Sequence, residues 1–595
     1  MYCWDSKISS KKDSPSPRLY LYFMSAVQRQ AEASLLSLIT SAASEPHDHD
    51  ARRRLLAQAM SSDDVPSTAY ASLLVRLSVF GSWDSGTLDS GSLAWLWHLP
   101  PGSAARKWWE GSVGHLEGGR QALEVPHILS GGDGADGCCT LPESACALLA
   151  RASPFMLGDE VTSQLWAPAM QKWGDAAYLR AQLDSLEGGV HVLGNLASRK
   201  DFSYFKDASD EFERPACASV RMRVGDFLSH RGLQETRDVP LLEPPGMAAH
   251  AACLYLQNTV LSIGDSGALE PPAGLGPGMV EDIAGLDMRL LRQFQQAGRF
   301  GQWRLSQLFV GTRATVGARS TLHIDQNDNL FVQIAGTKRL RLFPPTEGGN
   351  LYAYPVYHSQ DRRAQVDLQR ADDPDHLARY PRLAAATSVD VEIRRGQLLF
   401  LPAYWWHEVV TEAVQGGEAV GSAEDGAIDP TEVDATATGA DRGDGAPADG
   451  LSVSVNFWFE VDARRPLALP LAPATQLEFA RQLESLTATA LGDAALVPSF
   501  FGALVQQWRQ LRQAAGSEAQ NGADSNGVAG GSPRGLWPSL HDMRPAHADA
   551  MRWQELFEYV SFKLCLMLGA TTAVAFLENF CDPVRFGGVS VALEA

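Results

Sequence analysis

The triplet His323–Ile324–Asp325 sets an imidazole and a carboxylate two residues apart. On a β-strand that spacing sends both side chains to one face, where they can converge on a single point. A second histidine, His407, follows the strand-like run Leu401–Pro402–Ala403–Tyr404–Trp405–Trp406. Two histidines and one carboxylate form a three-donor set suited to a non-haem Fe(II) centre, with positions left open for substrate and O2. Alone, a His-x-Asp is weak evidence, because most such tripeptides are ordinary surface or core residues. The neighbours strengthen it. Lys338 shares strand parity with Leu340 and Leu342, which directs its ammonium toward the apolar side. It is there either as a snorkelling lysine with a buried stem or as the counter-ion of a carboxylate bound in a mostly apolar pocket. Asn456 alternates against the apolar face of another strand, where an asparagine serves as a structural hydrogen-bonder, a ligand contact or both.

The elements that must position these residues read as short strands with Gly and Pro turns. Period-two alternation marks Lys338–Leu342, Val389–Arg394 ending at Gly396, and Leu451–Trp458. This pattern predicts a mainly β core with helices, a double-stranded β-helix or jelly-roll barrel. After Arg465 the period becomes helical, with Leu477, Phe479, Ala480, Leu483 and Leu486 on one face and a further helix from about Met551 to Glu578. Three divisions follow: an N-terminal extension over 1–150, partly helical around Ala51–Phe80; a core over 151–465; and C-terminal helices over 466–595. Ala413–Gly450 holds nine acids and one base and reads as a disordered acidic insert; Ala514–Gly535 has the same loose character.

A chain of 595 residues with 45% hydrophobic and 20% charged residues can bury a sizeable core, which excludes collagen-like, wholly disordered and disulfide-scaffold classes. The formal net charge of −20 gives no general attraction to nucleic-acid phosphates or anionic membranes, so neither is expected as a partner. Eight cysteines without a CxxC pair indicate neither a structural zinc site nor a disulfide framework and fit a reducing compartment, cytoplasm or nucleus, while Lys7, Lys11, Lys12 and the apolar run Leu19–Val27 leave an organelle-targeting segment open against Asp5 and Asp13. The apolar run Leu564–Leu577 is shorter than the roughly 20 residues that span a bilayer and reads as a buried helix.

The stretches HIDQNDNLFVQIAGTKRLRLFPP, LFLPAYWWHEVV and SVSVNFWFE resemble, in order and spacing, the JmjC or cupin-like 2-oxoglutarate oxygenases. The likeness is closest to the asparaginyl hydroxylase branch typified by factor-inhibiting HIF, through LYAYPVYHSQDRRAQVD (351–367) and ACLYLQNTV (252–260). That resemblance implies His323, Asp325 and His407 as iron ligands, and Lys338, Tyr255 and Ser320 around the distal carboxylate of 2-oxoglutarate. It places Asn329 and Asn456 near the end of the cosubstrate that chelates iron. Gln257, Tyr204 and Arg362 fall where that branch touches its polypeptide substrate, and Arg363 stands where it has glutamine. The implied cofactors are Fe(II), 2-oxoglutarate and O2, and the implied reaction is hydroxylation of an Asn- or Asp-type side chain with release of succinate and CO2. The C-terminal helices resemble a dimerising region, which implies a homodimer.

Three other functions fit parts of the pattern. A histone lysine demethylase often adds zinc or reader modules, for which the scattered cysteines offer nothing. A tRNA hydroxylase should carry a basic face. A cupin-fold scaffold without turnover should have lost part of the triad or the Lys338 charge, and all are present.

Overall fold

The computed structural model describes residues 123–128, 132–133, 139–195, 200–202, 217–229, 253–264, 268–412, 450–461, 471–521 and 570–586, with single positions between 553 and 568. The expected Ala51–Phe80 helix, the acidic insert up to 449 and Tyr204 lie outside the described residues.

Fourteen strands position the site: β1 (His127–Ile128), β2 (Phe155–Leu157), β3 (Val190–Asn195), β4 (Asp201–Phe202), β5 (Cys217–Met222), β6 (Cys253–Ile263), β7 (Phe300–Gly311), β8 (Arg319–His323), β9 (Asp328–Ala335), β10 (Thr337–Phe343), β11 (Val389–Arg394), β12 (Leu398–Leu401), β13 (Trp406–Thr411) and β14 (Ser452–Val461). They form two sheets. The larger runs β1-β2-β12-β9-β14-β7-β6-β3-β5, and the smaller runs β11-β10-β13-β8-β4. The expected jelly-roll architecture holds, but no hydrogen-bonded strand pair closes the two sheets into a barrel among the described residues.

The chain passes between the sheets at two glycine corners. Gly336 joins β9 to β10 with φ +70°, and Gly396 joins β11 to β12 with φ +87°. A Cβ on Gly336 would stand 2.9 Å from the Leu451 carbonyl oxygen, so this corner excludes any side chain. Because side chains alternate, each long strand of the large sheet feeds two compartments. Val453, Val455, Phe457 and Phe459 of β14 join the main apolar core, together with Leu308 and Val310 of β7 and Leu330 and Val332 of β9. The alternate residues turn into the space between the sheets, where Phe331, Leu340, Leu342, Leu399 and Leu401 form a second cluster.

Helices cover the large sheet: α1 (Glu143–Ala150), α2 (Asp159–Lys172) and α3 (Met288–Gly298) bury Leu149, Trp166 and Phe294 in the main core. The packed unit therefore begins before residue 151, since Leu141, Ala145 and Leu149 belong to this core. Asp287 caps α3, its carboxylate accepting from the backbone N–H of Arg289 at 2.8 Å and Leu290 at 3.2 Å. Asp287→Ala leaves those donors without this partner and should lower stability by about 1 kcal/mol, read as a shifted urea midpoint at constant slope.

C-terminal to the sheets come α4 (Pro473–Leu491), α5 (Val497–Asn521) and α6 (Ala570–Phe580). Helix α5 runs through 514–521, the start of a segment expected to be loose. Trp553, Leu556, Phe557, Val560, Leu564 and Leu568 are helical and buried, at the spacing of one apolar face. Among the described residues no helix is long and apolar enough to cross a membrane. Leu477, Phe479, Ala480 and Leu483 pack with Leu322, Ile324, Phe343 and Trp406 in one cluster. These residues of the face expected to meet a second copy thus share a core with the chain's own β strands and C-terminal helices. These helices sit directly behind the strands that carry His323 and His407.

Candidate metal centre and its pocket

His323 ends β8, and His407 lies opposite it on β13 in the antiparallel register, with ring centroids 4.1 Å apart. Asp325 is not on the strand as its spacing suggested; β8 stops at His323. The chain turns there because the Ile324 N–H donates to the Arg362 carbonyl at 2.9 Å and the Tyr404 N–H to the Asp325 carbonyl at 2.8 Å. Ile324 is buried among the C-terminal helices. The turn nonetheless aims the carboxylate back, with Asp325 Oδ2 3.4 Å from His407 Nε2 and 4.0 Å from His323 Nε2. One donor atom from each of the three residues lies within 4.8 Å of the others, close enough for one metal ion.

The histidine tautomers are set by backbone. His323 Nδ1 lies 2.7 Å from the Thr321 carbonyl and His407 Nδ1 3.0 Å from the Trp405 carbonyl. A carbonyl only accepts, so each Nδ1 carries a proton and each Nε2 is the ring nitrogen turned toward Asp325. Burial, with His407 and Arg363 nearby, holds His323 well below the usual imidazole range and keeps it neutral. Burial alone would raise the Asp325 carboxyl, but the two histidines and Arg362 outweigh it and keep the group ionised. Two imidazoles and a carboxylate fit a divalent ion with open positions.

A cavity between the sheets opens onto this triad, and Tyr255, Gln257, Ser320, Asn329, Lys338, Arg363 and Asn456 all line it. Lys338 is 1% exposed; its Nζ donates to Tyr255 Oη at 2.9 Å and to Ser454 Oγ at 2.7 Å. The rings of Phe331, Phe309 and Tyr255 stand 5.1, 5.5 and 5.5 Å from the amine. Burial pulls the Lys338 pKa down to about 7. Asn329 Oδ1, Asn456 Oδ1 and Gln257 Oε1 are buried with no hydrogen-bond partner. Unmet acceptors in a cavity indicate that something polar belongs there.

Arg362 and Arg363 take different places. Arg362 has a left-handed backbone, φ +70°, and is half-buried beside Asp325. Arg363 is buried in the cavity wall, pairs in register with His323, and donates from Nη1 to Thr321 Oγ1 and the Thr321 carbonyl. It does not turn to solvent, and Asp361 is bound by both terminal guanidinium nitrogens of Arg481 on α4. Helix α4 holds this loop at a second point, since Glu484 accepts from the Val356 N–H at 3.0 Å. Arg585, itself paired with Glu484, accepts at its carbonyl from Gln365 Nε2 at 2.7 Å.

Two contributors were not singled out from the sequence. Ser454 holds Lys338, and Trp458 joins Asn456 in the cavity wall. Both share Asn456's parity on β14, so the alternation already contained them; the small polar and aromatic types read as an outward face.

The Cupin-like domain model matches residues 143–464, more than half of the chain. The chain belongs to the Cupin-like domain family. As a Cupin-like protein it is 33% identical over 96 residues to tRNA wybutosine-synthesizing protein 5 of Homo sapiens, covering 16% of this chain and 28% of that one. It is 35% identical over 135 residues to the HSPB1-associated protein 1 homolog of Danio rerio (22% and 27%), and 31% over 94 residues to Lysine-specific demethylase JMJ31 of Arabidopsis thaliana (16% of each). The chain thus spans less than a third of the length of each of these Cupin-like relatives.

Proposed function

We propose that this Cupin-like protein is an Fe(II)- and 2-oxoglutarate-dependent oxygenase that hydroxylates an Asn- or Asp-type side chain of a polypeptide. The observation that carries the reading is a buried amine and a His-Asp-His donor set in one cavity: Lys338 has hydroxyl partners but no carboxylate partner among the described residues. A dicarboxylate that chelates the metal at one end and meets Lys338 at the other uses both features. When bound, Fe(II) with 2-oxoglutarate and O2 supplies the oxidising power, with succinate and CO2 released and one oxygen atom placed in a substrate C–H bond.

The chain's own residues provide the rest. The Thr321 and Trp405 carbonyls orient the two imidazoles, and Asp325 contributes the anionic donor. Lys338 and the Tyr255 and Ser320 hydroxyls receive the distal carboxylate, and Asn329 and Asn456 stand beside the chelating end. Phe202, Phe309, Phe331, Leu401 and Trp458 line the cavity and exclude water. Gln257 and the two arginines are the groups offered to the polypeptide. The resemblance read from residues 252–260 and 351–367 supports a protein side chain, and the net charge of −20 disfavours RNA.

The test is succinate release from 2-oxoglutarate with Fe(II), run against a panel of peptides and tRNA. Peptide-stimulated release supports the reading. Release stimulated only by tRNA or by methyl-lysine peptides would redirect it to the functions named by the relatives, and no turnover at all would leave a scaffold.

Arg363 gives this reading a specificity. A guanidinium only donates and stays charged, whereas a glutamine amide both donates and accepts. Aspartyl peptides should therefore be preferred over asparaginyl ones, because a carboxylate gains a charge-assisted pair. Arg363→Gln should shift that ratio toward asparagine by about tenfold, measured by competition between Asp and Asn versions of one peptide. Equal preference in parent and variant would show that Arg363 does not read the substrate.

A further inference from the structure

Strand β14 runs through the middle of the large sheet, and Ser454 on it stands opposite Phe309 of β7 and Gln333 of β9. Its side chain is fully buried and points to the same side as Asn456. Lys338 arrives from the other sheet, on β10, so its amine bridges the two sheets through Ser454 on β14 and Tyr255 on β6.

The hydrogen-bond arithmetic of this contact is specific. An ammonium has three donors and no acceptor, while a hydroxyl has one donor and two acceptor lone pairs. Ser454 and Tyr255 each accept one N–H from Lys338 and keep their own hydroxyl hydrogens. Nζ, Oη and Oγ together therefore present donors, and among the described residues no anion receives them. Aromatic rings wall the amine on three sides but give it no fixed direction. A lysine head on a flexible four-carbon stem needs such a direction if it is to meet a ligand without first being ordered.

We propose that Ser454 is a positioning residue for the cosubstrate: its hydroxyl pins the Lys338 ammonium where the distal carboxylate of a 2-oxo dicarboxylic acid arrives. This rests on the 2-oxoglutarate reading and adds a residue to it. The resemblance placed Lys338, Tyr255 and Ser320 around that carboxylate, with nothing from β14 at this end.

The experiment uses the full chain loaded with Co(II), which occupies the metal site without turnover, and titrates it with 2-oxoglutarate by calorimetry. Ser454→Ala removes one oxygen and should weaken 2-oxoglutarate binding by about fivefold to twentyfold. Co(II) affinity should be unchanged. 2-Oxobutanoate, which has the same 2-oxo acid head but no distal carboxylate, should bind parent and variant alike. A variant that binds 2-oxoglutarate as the parent does would overturn the role of Ser454 and leave the cosubstrate reading standing. Equal weakening of both 2-oxo acids, or loss of Co(II) affinity, would show a general packing role and overturn it as well. A parent that binds Co(II) but not 2-oxoglutarate would overturn the cosubstrate reading and this inference together.

Discussion

His407→Ala should abolish 2-oxoglutarate turnover while leaving the two sheets folded. His407 supplies one of three donors grouped within 4.8 Å. Even changes to residues that merely orient metal ligands cost roughly 10–100-fold in affinity or activity, so deleting a ligand should cost more than about 100-fold. The imidazole lies at the end of the sheet interior facing the cavity, whereas the strand itself is fixed by β8 and β10 on either side and by Trp406, fully buried in the C-terminal cluster. The far-ultraviolet circular dichroism and a cooperative melt should therefore persist while metal binding and succinate release vanish. Full turnover in the alanine variant would remove His407 from the centre.

Lys338→Met should raise the apparent 2-oxoglutarate constant by about tenfold or more, since hydrogen bonds to charged groups contribute roughly 1.5–3 kcal/mol. The same substitution should act oppositely on the ligand-free protein. Burial brings the folded-state pKa of Lys338 to about 7, below the roughly 10.4 of an unfolded lysine. The folded chain thus binds this proton less readily, and the group penalises folding most at pH below 7, with the penalty fading as pH rises toward 10. Methionine carries no such penalty, so the variant's melting temperature should exceed the parent's at pH 6 and the difference should shrink at pH 9. A binding constant that rises while the ligand-free chain grows more stable separates a ligand-receiving amine from a structural one. An unchanged constant would move the cosubstrate elsewhere.

The parts of the fold visible from sequence are those where period two meets a turn. Thr337–Phe343, Val389–Arg394 and Ser452–Val461 are strands where alternation placed them, and Lys338 faces inward as its parity required. Asp325 shows the limit of that rule. Its convergence on the histidines comes from a turn tied to Arg362 and Tyr404, residues 37 and 79 positions away, rather than from strand geometry. Ser454 and Trp458 were hidden for a related reason. A polar row beside an apolar one ordinarily faces water, and only the second sheet makes it an interior. The C-terminal helices carried a strong apolar face, but amphipathicity does not say which surface covers it; here it is the chain's own β8, β10 and β13.

The loop over 354–365 has one further consequence. It is stitched to β8 beside the metal ligands, yet it is gripped at Val356, Asp361 and Gln365 by Glu484, Arg481 and Arg585. The family match ends at residue 464, before any of these three. The segment that is recognisable by descent and the segment that works as one mechanical part therefore have different borders. A chain cut at 464 would keep every candidate iron ligand and lose the grip on the wall that carries Arg363. Sequence variation at 481 should accordingly be inherited together with variation at 361, where the grip is made side chain to side chain, as a paired change across a boundary that a domain map would draw between them.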